Sequence, residues 1–279
     1  DIFQQTALRG STFLPTSGAA DYSDLLVGVQ YHTEQKAYIM CTSGTTGQPK
    51  GILVSQKNIL KLIHEPGAIK VFSPDRMLQW SNFAFDGSTY EIFSALLNGA
   101  SLYLIEESQV ADPSELSKII EEHKLTVGFM TTGLFNAFVD YDLSPLQHFR
   151  KLIFGGEKAS PVHVNKAFKY LGPGCLVNGY GPTETTTFAT TFSVDEEIEG
   201  QVSIGYPLAN TQIYVVNDSG SLAGLGVPGE LWIGGDGVTG AYVNREDLTQ
   251  EKFVSNPFTS TNKGLLYRTG DLVRILPDG

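Results

Sequence analysis

The sequence predicts an α/β protein in two parts, a layered αβα sheet region followed by a small antiparallel β region that resembles a barrel. From residue 36 to about 192, short apolar runs alternate with helical stretches, which is typical of a parallel sheet covered by helices. After about residue 200, short strands are separated by turn clusters rich in Gly, Asn and Asp. The 279 residues, 41% of them hydrophobic, are enough to bury a substantial core. We therefore expect an irregular lead-in at 1–35, the αβα region at 36–200 and the β region at 201–279.

Local signals support each element of the αβα region. Asp112 has the side chain of a helix cap, Pro113 suits the first helical position, and Glu115 adds an acid to the first turn. Leu116, Ile119 and Ile120 then form one apolar face. The later elements are expected, in order, as a strand at 125–130, a helix at 133–139, a strand at 151–154, a helix at 162–171 and a strand at 175–177.

The β region is expected to hold short strands at 213–216, 230–233 and 272–275. The clusters Asn217-Asp218-Ser219-Gly220 and Gly234-Gly235-Asp236-Gly237 supply turn residues between them.

Composition excludes several classes of function. The net charge of −11 argues against nucleic acid as a partner, because a basic face could not easily form. No run of eighteen apolar residues predicts a membrane span, and no basic start with an apolar core predicts a signal peptide. Cys41 and Cys175 fit no metal spacing and are expected to be free, buried thiols in a reducing compartment. We therefore expect a cytoplasmic protein, and both ends of the sequence resemble cuts through a longer one.

Residues 42–51 contain the most informative motif, Thr-Ser-Gly-Thr-Thr-Gly-Gln-Pro-Lys-Gly, directly after an apolar segment. Glycines let backbone N–H groups turn toward an anion, hydroxyls add donors, and Lys50 adds positive charge. The Walker pattern is absent, because Gly51 rather than Ser or Thr follows Lys50. Taken alone, the segment is equally consistent with an ordinary glycine-rich surface loop.

Four further strings follow this motif in order: Phe83-Ala84-Phe85-Asp86, Asn178-Gly179-Tyr180-Gly181-Pro182-Thr183-Glu184, Gly229-Glu230-Leu231-Trp232-Ile233 and Tyr267-Arg268-Thr269-Gly270-Asp271-Leu272. With the glycine-rich segment they resemble the adenylate-forming superfamily of acyl-CoA synthetases, luciferases and peptide-synthetase adenylation domains. The similarity is strongest to the adenylation domains of nonribosomal peptide synthetases and extends from about residue 36 to the end. It implies the same αβα and β-barrel division.

The resemblance implies a site for ATP and Mg²⁺. Lys50 and the residues before it would bind the β and γ phosphates that leave as pyrophosphate. Tyr180 would stack on adenine, Thr183 would contact the α-phosphate and Glu184 would bind Mg²⁺, roles that suit a flat ring, a hydroxyl donor and a hard oxygen ligand. Catalytic roles are thereby implied for Lys50, Thr183 and Glu184. The nucleotide-binding set that the resemblance implies is Thr42, Ser43, Gly44, Thr45, Thr46, Gly47, Lys50, Gly156, Asn178, Gly179, Tyr180, Thr183 and Asp271.

Asp271 would accept hydrogen bonds from the two ribose hydroxyls, although a turn aspartate would fit the same spacing. Gly155 and Gly156 match a segment that lines the adenine and substrate pocket. Glu230 is typical of the family in a structural role. The segment 237–242 departs from the family pattern, in which an arginine is expected, and no catalytic role is assigned to it.

The substrate pocket implied by the resemblance is Asp86, Gly87, Tyr90, Phe129, Ile153, Gly155, Gly179, Thr187 and Phe188. Asp86 would pair with the ammonium of an amino acid, because such a charge needs a partner where water is scarce. The other residues are uncharged, and Tyr90, Phe129, Ile153 and Phe188 supply bulky, apolar walls. They predict valine as substrate, isoleucine second, although Gly155 and Gly179 remove two walls and could admit a longer side chain.

The implied reaction forms aminoacyl-AMP and then transfers the acyl group to the phosphopantetheine thiol of a carrier-protein domain, with a condensation or other domain as a neighbour. The family's C-terminal subdomain and its catalytic lysine are expected beyond Gly279, so the chain alone is expected to be inactive. Two alternatives remain: an acyl-CoA synthetase or aryl-acid ligase of the same superfamily, which would not need Asp86, and a non-catalytic nucleotide-binding fragment.

Overall fold

The computed structural model of the chain describes residues 32–42, 49–64, 66–105, 112–260 and 264–279. The predicted lead-in at 1–35 therefore lies outside the described residues except for 32–35. Among the described helices, none is both long and apolar enough to cross a membrane.

A seven-stranded mixed sheet forms the centre of the αβα region. Strands β3 to β7 pair in parallel, whereas β8 and β9 are added antiparallel, in the spatial order β4-β3-β5-β6-β7-β8-β9. The strands are β3 (Arg76–Gln79), β4 (Ser101–Leu104), β5 (Val127–Thr131), β6 (Lys151–Gly155), β7 (Leu176–Tyr180), β8 (Thr190–Ser193) and β9 (Tyr206–Pro207). The sheet thus extends a few residues beyond the predicted boundary at residue 200.

Helices cover both faces of this sheet, as predicted. They are α1 (Gln56–Ile63), α2 (Gly87–Leu97), α3 (Pro113–His123), α4 (Thr132–Tyr141) and α5 (Pro161–Leu171). Successive strand residues alternate between two apolar clusters: Met130 and Phe154 pack with α3, α4 and α5, whereas Phe129 and Ile153 pack with α1 and α2. The second cluster contains four of the nine residues of the predicted substrate pocket: Tyr90, Phe129, Ile153 and Phe188.

The predicted start of α3 is confirmed. The Asp112 side chain accepts a hydrogen bond from the backbone N–H of Ser114, with Pro113 in the first turn. Leu116, Ile119 and Ile120 are buried, as their spacing predicted.

The second part is antiparallel, as predicted, and its four strands form an open sheet in the order β10-β11-β13-β12. They are β10 (Thr211–Val216), β11 (Gly229–Gly235), β12 (Phe253–Ser255) and β13 (Leu265–Val273), with the short helix α6 (Glu246–Lys252) before β12.

The last strand differs from its prediction at 272–275, because β13 begins at Leu265 and ends at Val273. Residues Thr269 and Gly270 lie in a bulge inside that strand. Trp232 pairs with Arg268 and Glu230 with Leu272, so β13 carries extra residues there, and Gly270 has a φ of 82°. Glycine adopts this φ without steric cost, which is why the chain can remain in the sheet.

Strands β1 (Lys36–Thr42) and β2 (Lys50–Ser55) form a separate antiparallel pair. The expectation that both cysteines are buried is half wrong, since Cys175 is buried but Cys41 on β1 is exposed. Cys41 lies on a two-stranded ribbon, where residues of one face meet solvent.

Candidate functional site

Residues 178–184 lie at the carboxyl end of β7, the side of an open α/β sheet where ligands bind. Tyr180 ends the strand, and a single 3-10 turn at Thr183–Thr185 follows Pro182. The structure therefore places Thr183 and Glu184, two residues of the predicted site, at the carboxyl edge of the sheet.

Glu184 is buried and held from the opposite side by the segment 239–242. The Tyr242 hydroxyl donates to Glu184 Oε1 at 2.5 Å, and the Thr239 N–H donates to the Glu184 carbonyl at 3.0 Å. The Tyr267 hydroxyl lies 3.4 Å from that of Tyr242. Burial, followed by the nearby Glu184 charge, raises the pKa of Tyr242 far above its usual range, so this phenol remains a donor.

Sequence reasoning missed Tyr242 and Thr239, because their segment departs from the family pattern. A usable signal was present, since the segment ends on Tyr242, an aromatic side chain with a hydroxyl.

Lys50 reaches the same place from the β1–β2 hairpin. Its amine lies 5.3 Å from the centre of the Tyr242 ring, and the Val243 N–H donates to the Gly51 carbonyl at 2.8 Å. Thr42 pairs with Lys50, so the two ends of the glycine-rich segment lie side by side. The predicted phosphate-binding residues Ser43, Gly44, Thr45, Thr46 and Gly47 lie outside the described residues.

Asp271 lies in the β13 bulge and contacts Tyr180. The Tyr180 hydroxyl donates to Asp271 Oδ2 at 2.5 Å. Glu230 supports the bulge by accepting from the Gly270 N–H at 3.0 Å and from the Trp232 indole at 2.8 Å. The expected structural role of Glu230 agrees with these contacts.

Asn178 does not join this group. Its amide donates to the Ser203 carbonyl at 2.8 Å and its side chain is 5% exposed. The predicted place of Asn178 in the nucleotide-binding set therefore stays a prediction.

Glycine is required at the predicted site for two different physical reasons. Open space surrounds Gly156, where no atom lies within 4 Å of an added Cβ, consistent with room for a ligand. A Cβ at Gly155 would lie 2.1 Å from the Gly179 carbonyl oxygen, and one at Gly179 would lie 2.7 Å from the Phe188 ring. The two walls thought to be missing at 155 and 179 are therefore occupied, by backbone and by Phe188.

Asp86 carries the most informative polar atom of the site. It precedes α2 without capping it, and its carbonyl accepts from the Thr187 hydroxyl at 2.8 Å. Its Oδ2 is buried and has no hydrogen-bond partner among the described residues. Burial raises the pKa of Asp86 to about 6, and the Thr183 hydroxyl, which bonds to the carboxyl group, partly opposes this. An unpaired buried carboxylate oxygen is costly, so the site is suited to receive a cation.

An aromatic set of Tyr90, Phe129 and Phe188 lies beside Asp86. The Phe188 ring meets the other two edge to face, each with ring centres 5.3 Å apart. A Cβ at Gly87 would lie 2.8 Å from the Phe129 ring, so Gly87 and Phe129 are in close contact. Tyr90 and Ile153 are fully buried, and the Tyr90 hydroxyl donates to the Ile69 carbonyl at 2.7 Å. In this conformation they support the wall from behind, rather than lining an open cavity as expected.

Two adjacent threonines lead into Phe188 with an unusual backbone. Thr186 and Thr187 have φ values of 62° and 60°. A left-handed conformation costs an L-residue roughly 1–2 kcal/mol, and β-branched residues adopt it rarely.

Sequence reasoning also missed two buried charged groups near the pocket. Lys61 on α1 is 4% exposed and donates to the Phe188 carbonyl at 2.7 Å. Burial lowers the pKa of Lys61 to about 7, partly opposed by the charge of Asp236. Glu91 on α2 is fully buried and accepts from the Ser81 hydroxyl at 2.7 Å. Burial raises the pKa of Glu91 to about 8, opposed by the donors of Ser81.

Comparison with known proteins places this site in context. The family model described as "AMP-binding enzyme" matches residues 6–243. Bacitracin synthase 1 of Bacillus licheniformis is 45% identical over 246 residues, and tyrocidine synthase 3 of Brevibacillus parabrevis is 44% identical over 243. These matches cover 87% of this chain but only 5% and 4% of the two synthases.

Solved structures agree with the sequence matches. Holo-PA1221, a nonribosomal peptide synthetase protein containing adenylation and PCP domains, superposes with a TM-score of 0.85 at 33% identity, covering 95% of this chain and 46% of that one. The N-terminal subdomain of Klebsiella oxytoca NpsA, in complex with 3-hydroxybenzoyl-AMSN, has a TM-score of 0.80 at 28% identity and covers 89% and 61% of the two chains.

Proposed function

The chain belongs to the AMP-binding enzyme family, and on that premise we propose that the protein containing it activates an amino acid with ATP. The carboxylate oxygen of the amino acid attacks the α-phosphorus, the bond from that phosphorus to the oxygen bridging to the β-phosphate breaks, and pyrophosphate leaves. The observation that carries the amino-acid assignment is the buried Asp86 Oδ2, which lacks a partner among the described residues.

The chemistry of Asp86 favours an ammonium over other ligands. A desolvated carboxylate gains most from a positively charged donor that can bond directly to it. The free amino group of an amino acid supplies such a donor, whereas a fatty or aryl acid would leave Oδ2 unpaired. The nearby Thr183 hydroxyl lowers the pKa of this carboxyl group against the effect of burial, which favours the charged form that can pair with an ammonium.

The aromatic set then selects the side chain. Phe129 and Phe188 meet edge to face, with Tyr90 and Ile153 buried behind them. The other predicted pocket residues carry no charge, so a charged substrate side chain would be buried without a partner. We propose valine as the preferred substrate and isoleucine second, because one methylene separates them by only about 1–3 kcal/mol.

The nucleotide is assigned to the group formed by Tyr180, Thr183, Glu184, Lys50 and Asp271. Open space beside Gly156 and the exposed carboxyl group of Asp271 fit a ligand at this sheet edge. Glu184 would hold Mg²⁺, since a carboxylate is a preferred oxygen ligand and Tyr242 leaves its second oxygen available. When bound, Mg²⁺ would neutralise charge on the phosphates. Lys50 would attract the leaving pyrophosphate, and Asp271 would accept from the ribose hydroxyls.

As the second step we propose that a phosphopantetheine thiol on a carrier-protein domain attacks the acyl carbon, so that a thioester forms, the bond from that carbon to the AMP oxygen breaks and AMP leaves. Its support is the likeness to a protein that contains adenylation and PCP domains, and to synthases of which this chain matches about one twentieth. A condensation domain as a further neighbour rests on the synthase relatives alone.

Exchange of labelled pyrophosphate into ATP tests the proposal. The complete protein that contains this chain is assayed with each of the twenty amino acids. We expect exchange with valine and isoleucine, leucine behind them, and a large loss in an Asp86→Asn variant. Exchange with no amino acid but with an aryl or fatty acid would favour the acyl-CoA synthetase and aryl-acid ligase alternative. Nucleotide binding without any exchange would favour a non-catalytic role.

A further inference from the structure

The strained backbone at Thr186 and Thr187 needs an external support. Both residues are left-handed, and the turn they form connects Glu184 to Phe188. Conformations of this kind persist only where the surrounding structure over-determines them. Inside the turn, the Phe188 N–H donates to the Thr186 carbonyl at 2.8 Å. The remaining contacts must come from elsewhere in the chain.

Lys61 provides a direct contact from a distant element. Its amine donates to the Phe188 carbonyl at 2.7 Å, across 127 residues of sequence. Gly237 supports the neighbouring residue, because its carbonyl accepts from the Thr186 hydroxyl at 2.8 Å. A Cβ at Gly237 would lie 3.1 Å from the Lys61 amine and 2.7 Å from the Thr185 carbonyl oxygen. Lys61, the turn and residue 237 are therefore packed without spare room.

The same face of α1 binds the segment around residue 237. The Asn58 amide donates to the carbonyls of Asp236 at 2.7 Å and Val238 at 3.3 Å. Lys57 pairs with the Asp236 carboxylate at 2.9 Å. Helix α1 thus contacts both the segment around residue 237 and the turn that ends at Phe188. Within α1, Lys61 is the residue that bonds directly to Phe188, which forms the pocket wall.

A lysine at this position needs a reason. Lys61 is enclosed with Ile59, Leu62 and Ile63 on a helix packed in the apolar cluster, and it is 4% exposed. A buried ammonium is unfavourable unless its bonds compensate for lost water. An apolar side chain would suit the packing better, which indicates that the bond to Phe188 matters.

We propose that Lys61 is a positioning residue for substrate selection, whose bond to the Phe188 carbonyl holds the Thr186–Thr187 turn and thereby fixes the Phe188 ring against Tyr90 and Phe129. The inference rests on the proposed function for its link to substrate choice. The positional part stands on the contacts alone.

Lys61→Met tests it, with Lys57→Met as the matched control on the same helix. The control removes the same charge but not the bond to Phe188. In the complete protein, we expect Lys61→Met to raise the KM for valine roughly tenfold, to narrow the preference for valine over leucine, and to leave the KM for ATP within about twofold. Hydrogen exchange of the Phe188 and Ala189 amides should become roughly tenfold faster. Lys57→Met should change neither.

The two readouts separate the failure of this inference from that of the proposed function. If Lys61→Met changes neither the amide hydrogen exchange of residues 186–189, nor the KM for valine, nor the preference for valine over leucine, the proposed role of Lys61 is overturned. If amide hydrogen exchange becomes faster but the protein activates no amino acid, the positioning role of Lys61 is supported and the proposed function is rejected. If Lys61→Met does not fold, Lys61→Gln keeps a donor on a shorter side chain. It should then show the same changes at smaller amplitude, and their absence overturns the inference.

Discussion

The hydroxyl of Tyr180 donates to Asp271 Oδ2 at 2.5 Å and so links the end of β7 to the bulge of β13. One of these residues belongs to the mixed sheet and the other to the antiparallel sheet. The bond therefore orients both side chains that are proposed to contact the adenosine of ATP.

Substitutions at this pair should separate nucleotide binding from stability. Asp271→Asn should raise the KM for ATP roughly tenfold, because a charged acceptor for the ribose is lost. Tyr180→Phe keeps the ring, so it should lower stability by about 1 kcal/mol and change the KM for ATP little. The kinetics of pyrophosphate–ATP exchange measure the KM for ATP, and urea unfolding measures the stability. A larger ATP effect from Tyr180→Phe than from Asp271→Asn would contradict the proposed contacts.

Glu184→Gln should lower the exchange rate by roughly 100-fold while the protein stays folded, because a neutral amide is a poor Mg²⁺ ligand. Tyr242→Phe is the control, since it removes the hydrogen bond at 2.5 Å but keeps the carboxylate. It should cost only a few-fold in rate. Near-normal exchange in Glu184→Gln together with a lower melting temperature would show that Glu184 is structural.

Amino-acid activation should depend on pH through Asp86. Burial raises the pKa of this carboxyl group to about 6 in the free protein. Below that pH Asp86 is neutral and cannot pair with an ammonium, so kcat/KM for the amino acid should fall about tenfold per pH unit. Asp86→Asn should be much less active and lack this inflection. An unaltered pH profile in that variant would assign the inflection to another group.

Stability should depend on pH through Glu91, whose pKa burial raises to about 8. Between about 4.5 and 8 the folded state keeps this proton and the unfolded state releases it, so stability is lost as pH rises. Glu91→Gln removes this pH-dependent contribution to the free energy of unfolding. Its stability relative to the parent should therefore increase by about 1.4 kcal/mol per pH unit from pH 5 to 8.

Urea unfolding at pH 5 and at pH 8 measures this difference in stability, with Glu115→Gln as the control at a half-exposed carboxyl group. A difference between Glu91→Gln and the parent that does not vary with pH would reject the buried, protonated state of Glu91.

Local signals predicted what is local. The cap at Asp112 and the spacing of Leu116, Ile119 and Ile120 fixed the start and inner face of α3. Contacts between remote segments could not be predicted that way. Tyr242 lies 58 residues from Glu184 and Lys61 lies 127 from Phe188, and no local pattern marks either pair. Asn178 is a similar case, because its partner Ser203 lies 25 residues away and the motif does not mark it.

The support of Phe188 has a consequence for engineering by segment exchange. The residues proposed to select the substrate lie between 86 and 188, so this stretch could be transplanted between related proteins as one cassette. Lys61 and Gly237 lie outside the cassette on either side, yet both contact its last turn. In a chimera built on 86–188 alone, the turn beside Phe188 would contact α1 and residue 237 of the recipient protein. Transplants that also carry α1 and the segment around residue 237 should retain the substrate selectivity of the source protein better.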